Sequence, residues 1–258
     1  MNNVLELLPY FLLMFVRMTS FFLVAPLFST RGLPARFKIG LAFFLTLVAF
    51  SASMEEVPIL LDEYYLFLII KELFVGVALG FTATLMLYAV QVAGAFIDFQ
   101  MGFALANVMD PQTGAQVPLM GHFKYTLALL FLLIVDGHHL MLDGVMKSFQ
   151  LVPVEIISFS LENGEVSEFI TTLFLQMFMI AMQMALPIVG ALFLVDVALG
   201  ILAKTVPQLN IFAVGFPLKI FAGFIMIILA MPVFFYVLQN LFEKMIVSMS
   251  ELIKLLGA

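Results

Sequence analysis

The chain has 258 residues, of which 64% are hydrophobic and only 11% are charged, and its mean hydropathy is +1.18. Because soluble domains carry about 25% charged residues, this composition excludes a soluble globular protein and predicts an integral membrane protein forming a single helical unit. The net charge of −6 leaves no basic surface for nucleic acid, and the absence of cysteine excludes structural disulfides, cysteine-ligated zinc and thiol catalysis.

The first apolar segment, residues 7–28, is long enough to cross a hydrocarbon core of about 30 Å. It has neither a basic start nor a small-residue cleavage site, so we expect a retained helix rather than a signal peptide. Arg17 lies near its middle, where a charge is costly unless it faces a partner or water. We expect a structural ion pair or a carbonyl contact there, with a direct role in transport as the alternative.

A basic loop with Arg31, Arg36 and Lys38 follows, and the positive-inside rule predicts that this loop is cytoplasmic. Residues 39–50 form an apolar run that is short for a membrane span unless its flanks are recruited, and it could instead be half of a hairpin. The acidic stretch after it, residues 51–63, is compatible with the opposite side of the membrane.

Residues 64–95 form a long apolar segment. Gly76 and Gly80 share one helix face in a GxxxG spacing, which lets another backbone approach closely. The adjacent Lys71 and Glu72 project about 100° apart on a helix and do not form the favoured i,i+4 pair. We therefore expect at least one of these two charges to need a partner elsewhere.

The stretch over residues 93–121, AGAFIDFQMGFALANVMDPQTGAQVPLMG, interrupts the apolar pattern with polar and helix-breaking residues. These are Asp98, Gln100, Asn107, Asp110, Gln112 and Gln116, together with Gly94, Gly102, Pro111, Gly114 and Pro118. Such backbone beside membrane-depth helices is tolerated only where protein or a water-filled cavity satisfies its N–H and C=O groups. The stretch is therefore the first candidate for the functional element of the protein.

The apolar segment of residues 122–142 ends in VDGHHLMLDG, which contains Asp136, His138, His139 and Asp143. Imidazoles beside carboxylates are typical of metal sites and proton relays. However, the cluster lacks the HExxH spacing of zinc proteases and lies at a segment end beside two glycines. We therefore favour a solvated helix terminus and predict no metal site.

Residues 169–202 are again apolar, and Pro187 predicts a kink because it removes a helical hydrogen bond. Asp196 lies where an uncompensated carboxylate is costly. We expect a structural pair with Lys204 or Lys219, with a pore-lining role as the alternative.

Residues 220–238 form the last apolar run, and residues 239–258 have apolar side chains at steps of three and four. This spacing predicts an amphipathic helix for an interface or a partner surface. The whole pattern predicts an all-α integral membrane protein with about six long, kinked hydrophobic helices and a C-terminal amphipathic helix.

No catalytic signature accompanies these features. The sequence has no GxSxG, HExxH or GxxxxGK[ST] motif, so we expect no catalytic residue and no cofactor. A small-solute or ion secondary transporter would explain the broken helices and the charges of Arg17, Asp98 and Asp196. A subunit of a larger channel explains the same features together with the scattered glycines, the 18 methionines and the polar loop. The loop offers amides rather than a dense cluster of charge, which favours the channel subunit.

Four stretches, in order along nearly the whole chain, carry a family likeness. They are RMTSFFLVAPLFSTRGLPARFKIGLAFFLTL (17–47), KELFVGVALGF (71–81), the loop stretch quoted above (93–121) and ALPIVGALFLVDVALGILAKTVPQLNIFAVGFPLKIFAG (185–223). Together they resemble the FliR family of flagellar biosynthetic proteins, which also includes the T subunit of virulence type III secretion export gates.

The resemblance implies a non-enzymatic channel subunit of the flagellar type III export gate, required for export of unfolded flagellar proteins and for flagellum assembly. It implies a place in the bacterial inner membrane at the flagellar basal body, in contact with lipid. The implied partners are FliP and FliQ in a hetero-oligomer, with FlhB and FlhA nearby. Residues 1–165 would form a FliP-like portion and residues 166–258 a FliQ-like hairpin with the C-terminal helix, so the helices would be arranged in hairpins.

The resemblance also implies that the loop of residues 103–121 is a plug that helps close the resting channel, and we expect it to be hinged near Gly102 and Gly121. Its expected gating residues are Phe103, Asn107, Met109, Asp110, Pro111, Gly114 and Pro118. The polar residues expected at subunit contacts or in buried positions are Arg17, Glu72, Asp98, Asp196 and Lys219. Because buried unpaired charges are costly, we expect neighbouring subunits to satisfy these residues and the isolated chain to be poorly stable.

Overall fold

The structure is a computed structural model that describes residues 2–30, 32–52, 63–103, 118–156, 164–206, 208 and 210–257. Within these ranges the chain forms seven helices and no strand. They are α1 (Asn2–Val24), α2 (Ala35–Ala52), α3 (Glu63–Met101), α4 (Leu119–Ile134), α5 (Gly137–Leu151), α6 (Glu165–Thr205) and α7 (Ile211–Gly257). The predicted all-α membrane fold is therefore confirmed.

Five of the helices, α1, α2, α3, α6 and α7, are long and apolar enough to cross a membrane. Helices α4 and α5 are long enough only when taken together, and they are bent by 72° where they meet. By length and composition, the described part of the chain therefore holds five helices that could span a membrane, or six candidates if this bent pair is one span.

Helix α2 shows how a short apolar run becomes a full span. It reaches 18 residues because it recruits flanking residues on both sides of the run at 39–50. At about 1.5 Å per residue, the helix measures about 27 Å, which is close to a hydrocarbon core of about 30 Å.

The last two helices are longer than the apolar pattern predicts. Helix α6 has 41 residues and continues through Pro187, and α7 has 47 residues and continues through Pro217 and Pro232. The amphipathic C-terminal segment is the continuation of α7 rather than a separate helix. No glycine or proline lies between residues 233 and 256 to end the helix earlier.

Contacts divide the chain into two compact units whose segments alternate along the sequence. The first unit comprises Met1–Met86, Leu132–Phe174 and Glu243–Ala258, and the second comprises Leu87–Phe131 and Leu175–Phe242. Helices α3, α4, α6 and α7 each contribute to both units. The predicted division at residue 165 concerns likeness to FliP and FliQ and stays a prediction.

In the first unit, α1 packs against α2 and α5 and lies against α3 at two glycines. A Cβ atom at Gly76 would collide with Ser20 and with the backbone of Arg17. One at Gly80 would press on the side chain of Val24. The GxxxG spacing thus lets α1 and α3 approach at backbone distance, and its predicted packing role is confirmed.

The end of α7 is buried within the first unit. Leu252, Ile253 and Leu256 are buried, and Gly257 lies so close to the carbonyl of Leu151 in α5 that a Cβ atom there would collide. The sequence predicts an interface or partner surface here, whereas the structure covers the apolar stripe with the chain itself. The reason is that side-chain spacing reveals a stripe but not the element that covers it.

Candidate functional site

The candidate site lies in the second unit, where the 103–121 loop leaves α3 and returns at α4. We call residues 94–103 and 118–121, with the α7 residues that contact them, the loop base. Helix α3 ends at Met101, and the next residue, Gly102, has a φ of 87°, which suits glycine and strains other residues. Its N–H donates to the carbonyl of Phe99 at 3.2 Å, and the ring of Phe216 lies directly against it. The predicted first hinge is therefore a tight turn that ends a helix.

The two residues on either side of this turn rest on α7. The ring centroids of Phe103 and Phe224 are 6.4 Å apart, within the range of favourable aromatic pairs. The side chain of Met101 packs on Gly223 so closely that a Cβ atom there would collide with it. The loop therefore departs from a position that α7 fixes.

The loop returns at α4, whose first amides are bound by Asp98 of α3. Pro118, which precedes α4, has no side-chain acceptor for the unpaired N–H groups of the first turn. The carboxylate of Asp98 accepts from the N–H of Met120 at 3.0 and 3.1 Å and from that of Gly121 at 3.5 Å. Asp98 is only 2% exposed, and a buried anion is stabilised at a helix N-terminus by the partial positive charge there. Asp98 thus caps α4 from a neighbouring helix.

Helices α3 and α4 touch at two glycines, and this contact brings Asp98 within reach of α4. A Cβ atom at Gly94 would collide with the backbone of Gly121. One at Gly121 would lie 3.1 Å from the carbonyl oxygen of Gln91. Gly121 belongs to the first turn of α4, so the structure places the predicted second hinge inside a helix, at a packing position.

Five predicted gating residues lie outside the described residues: Asn107, Met109, Asp110, Pro111 and Gly114. The other two are described and partly buried, with Phe103 against α7 and Pro118 directly before α4. The described residues therefore establish where the loop begins and ends.

A second polar contact in the same unit joins α3, α6 and α7 around Asp196. Its carboxylate accepts from Nε2 of Gln100 at 2.8 Å and from Nζ of Lys219 at 2.8 and 3.0 Å. Of the two lysines proposed as partners, Lys219 forms the pair, and Lys204 lies in the last turn of α6.

The first unit holds a fully buried set of charges, Arg17, Lys71 and Glu72, which we call the ionic cluster. Nε and Nη2 of Arg17 donate to the two carboxylate oxygens of Glu72 at 2.5 and 2.9 Å. The remaining N–H groups donate to the carbonyl and hydroxyl of Ser148 at 2.8 and 3.1 Å and to the carbonyl of Val152 at 2.8 Å. All five guanidinium donors are used, and the two-pronged pair with Glu72 is the strongest geometry available to arginine.

Lys71 completes the ionic cluster from the other side of Glu72. Its Nζ lies 2.8 Å from the carboxylate of Glu72. It also donates to three carbonyls just beyond α5, those of Pro153, Val154 and Ile156, at 2.5, 3.1 and 3.1 Å. Carbonyls beyond a helix end lack intrahelical donors, so the ammonium and these carbonyls satisfy one another.

These contacts differ from the expectation that neighbouring subunits satisfy the polar residues. Arg17 pairs with Glu72, and Asp196 with Lys219, inside the chain. The carboxylate of Asp98 is bound by α4. The sequence indicates how deep each charge lies, but not which helices meet there. It therefore offers two candidate partners for Asp196 and none for Arg17 or Asp98.

Lys124 of α4 is the buried charge that the sequence reasoning missed. It is 1% exposed, and its Nζ lies 4.8 Å from the ring centroid of Phe234, a cation–π contact. Among the described residues it has neither a hydrogen bond nor an ion pair. The available signal was one lysine inside the apolar run LMGHFKYTLALLFLLI.

Comparison with known proteins finds relatives that are all named as flagellar biosynthetic, export or translocation proteins. Residues 8–245 match the family described as bacterial export proteins, family 1. The chain is 51% identical over 257 residues to the flagellar biosynthetic protein FliR of Bacillus subtilis, covering 100% of this chain and 99% of the relative. It is 30% identical to the FliR protein of Escherichia coli, covering 92% and 90%. It is 29% identical to the Yop proteins translocation protein T of Yersinia pestis, covering 83% and 82%.

Proposed function

The chain belongs to the family of bacterial export proteins, family 1, and from this premise we propose that its 103–121 loop closes the export channel at rest. The protein is a membrane subunit of the type III export gate in flagellar biosynthesis. As a component of that apparatus it acts within a complex.

We further propose the composition and place of that complex. The partners are FliP and FliQ, with FlhB and FlhA nearby, in the bacterial inner membrane at the flagellar basal body. Residues 1–165 take the FliP-like place and residues 166–258 the FliQ-like place. The subunit guides unfolded flagellar proteins without performing enzymatic chemistry. The ordered likeness of four stretches to the FliR family supports each of these assignments.

The observation that carries the closure proposal is the way the two ends of the loop are held together. Asp98 lies in the last turns of α3, yet its carboxylate binds the first amides of α4. The chain therefore leaves the loop base at Phe103 and comes back to the same place at Pro118. A segment with fixed, neighbouring ends can change its own path without moving the helices that carry it.

The composition of the loop fits the same role. Residues 104–117 contain amides, one carboxylate, one proline and one glycine, and they follow a helix that is otherwise apolar. Polar backbone at this depth requires protein or water around it. A channel interior supplies both, since it is filled by the loop at rest and by substrate and water during export.

The transporter alternative has lost its main support. A transporter would use Arg17, Asp98 and Asp196 as charged groups of a solute site. Instead, each of them forms a hydrogen bond or an ion pair within the chain. The matched family consists of export proteins, so no observation favours a transporter.

Removal of residues 110–117 tests the closure proposal. We expect cells carrying this deletion to admit small dyes and ions through the resting gate, because the segment that occupies the channel is shortened. Recovery of FliP and FliQ with the deleted chain by co-purification shows that the complex has assembled. Dye uptake is then measured in cells that contain equal amounts of wild-type or deleted complex.

A replacement of residues 110–117 by glycine and serine at equal length separates the contribution of loop length from that of loop sequence. We expect it to leak less than the deletion, since it retains the bulk of the backbone. Unchanged permeability of an assembled deletion complex would rule out the loop as the closure element.

A further inference from the structure

The corner between α4 and α5, in the first unit, gathers side chains that the export function does not use. The helices turn by 72° at this corner, and Asp136 makes the turn in a left-handed conformation with φ 55° and ψ 22°. Gly137 follows at a position where a Cβ atom would collide with Leu132. The backbone is therefore held tightly at the first turn of α5, which carries His138 and His139.

Three potential metal ligands converge at this corner. One ligand atom from each of Asp136, His138 and His139 lies within 4.8 Å of the other two. Nδ1 of His139 is 3.4 Å from Oδ1 of Asp136, and the two imidazole rings are 4.1 Å apart between centroids. Around a tetrahedral zinc ion with bonds of about 2.0–2.2 Å, ligand atoms are separated by about 3.3–3.5 Å. The pair of Asp136 and His139 already has this spacing, and the ligand atom of His138 lies within 4.8 Å of both.

Two of these side chains also lack the bonds that their positions would normally provide. Asp136 is at the N-cap position of α5, where aspartate usually accepts from a first-turn amide, but it makes no such bond. Nδ1 of His138 is buried and has no hydrogen-bond partner among the described residues. A buried polar atom without a partner costs about 1–3 kcal/mol, so a ligand for this nitrogen would be stabilising.

We propose that Asp136, His138 and His139 form a binding site for a divalent transition-metal ion, and we take zinc as the probe because two imidazoles and one carboxylate are a known zinc ligand set. Asp143 is not part of the ligand set, because it pairs with Lys147 at 2.7 Å. Water completes the coordination, since Asp136 and His139 are largely exposed. The ion joins the connecting residue to the first turn of α5 and thereby fixes the bend.

The carboxylate also offsets an unfavourable electrostatic term. A helix N-terminus carries partial positive charge, which disfavours a cation. Asp136, at the N-cap position of α5, supplies a negative charge that offsets this repulsion.

Zinc titration of the purified intact chain tests the proposal. The chain is prepared in detergent with an affinity tag free of histidine, and zinc competes with a chromophoric chelator. We expect wild-type protein to bind one zinc ion, and His138→Gln, His139→Gln and Asp136→Asn each to weaken binding by at least about tenfold. His122→Gln is the matched control, because His122 is exposed on α4 outside the cluster, and it should bind like wild type.

Cobalt substitution gives a second readout, which reports on the coordination of the ion rather than on competition with a chelator. We expect visible ligand-field absorption in wild-type and His122→Gln protein and its loss in the double variant His138→Gln/His139→Gln, with helical content unchanged by circular dichroism. Absence of zinc binding by wild-type protein, equal binding by the double variant, or equal loss in His122→Gln would each overturn the site.

Discussion

Arg17 has no exposed surface, and every N–H group of its guanidinium has an acceptor. Glu72 is the counter-ion of this buried guanidinium, and it also forms an ion pair with Lys71. We expect Glu72→Gln to lower the free energy of unfolding by about 3–5 kcal/mol, because it leaves two buried cations without a counter-charge. Thermal unfolding of the chain in detergent, followed by circular dichroism, measures the change.

The same acid-to-amide change at an exposed pair provides the control. Asp143 and Lys147 lie 2.7 Å apart on the surface of α5, and such pairs contribute at most about 1 kcal/mol. Asp143→Asn should therefore shift unfolding only slightly. Equal shifts for the two variants would show that the ionic cluster does not hold the first unit together.

Lys124 is the opposite case, a buried ammonium whose recorded contact is the ring of Phe234. Since its charge is desolvated without an anion among the described residues, we expect Lys124→Met to raise the unfolding free energy of the isolated chain by about 1 kcal/mol or more. Lys71→Met should lower it by about 1–3 kcal/mol, because three carbonyls and Glu72 lose a donor. Thermal melts of the two variants measure these changes. A lower melting temperature for Lys124→Met than for the wild type would show that the buried ammonium does not destabilise the chain.

At the scale of residues, the sequence predicts which charges need compensation and leaves the partner undetermined. The sequence predicts that Asp196 pairs with Lys204 or Lys219, and the structure shows the pair with Lys219. The acceptors of Arg17 include Ser148 and Val152, which no pattern near Arg17 indicates. Whether residues more than a hundred positions apart become partners depends on how the helices pack, and local sequence periodicity does not determine that packing.

Among the structural elements, the start of α4 depends on another helix for its cap. We expect Asp98→Asn to weaken this cap by about 1 kcal/mol, because one amide oxygen replaces a charged carboxylate that accepts from two N–H groups. Hydrogen exchange at Met120 and Gly121 should become about fivefold faster. Exchange read by mass spectrometry on peptides that span residues 118–125 measures the effect.

Asp136→Asn in zinc-free buffer is the matched control for this variant. Asp136 also precedes a helix, but its side chain makes no cap bond to α5. Exchange in the first turn of α5 should therefore stay unchanged. Unaltered exchange at the start of α4 in Asp98→Asn would mean that the carboxylate does not hold the loop base.

The elements themselves were largely predictable, and their ends were not. The apolar runs mark α1, α2, α3, α6 and α7, and the GxxxG spacing marks the face of α3 that α1 approaches. The apolar run at residues 122–142 gives no sign of the turn at Asp136, which lies between α4 and α5 and adopts a left-handed backbone conformation. The turn at Asp136 involves the backbone of a single residue, so it leaves the hydropathy pattern of the run unchanged.

For the whole molecule, the two units do not correspond to two consecutive parts of the sequence, because their segments alternate along the chain. Helices α3, α4, α6 and α7 each supply residues to both units, so contacts between distant segments define the units. Large apolar side chains on α2, α6 and α7 remain exposed, among them Phe44, Leu194 and Ile228. Such surfaces require lipid, detergent or a neighbouring subunit, and they need no neutralising charge from it.

This distribution changes what to expect of the chain on its own. The ionic cluster and the Asp196–Lys219 pair are closed within the chain, so partners are needed to cover apolar surface rather than to neutralise these charges. We expect the chain expressed without other gate components to be extracted in mild detergent as a monomer that unfolds cooperatively, because detergent covers apolar surface as lipid does. Size-exclusion chromatography with light scattering, followed by thermal melts, measures both properties. Aggregation of wild-type chain, or a melt as broad as that of Glu72→Gln, would show that other subunits are needed for the fold itself.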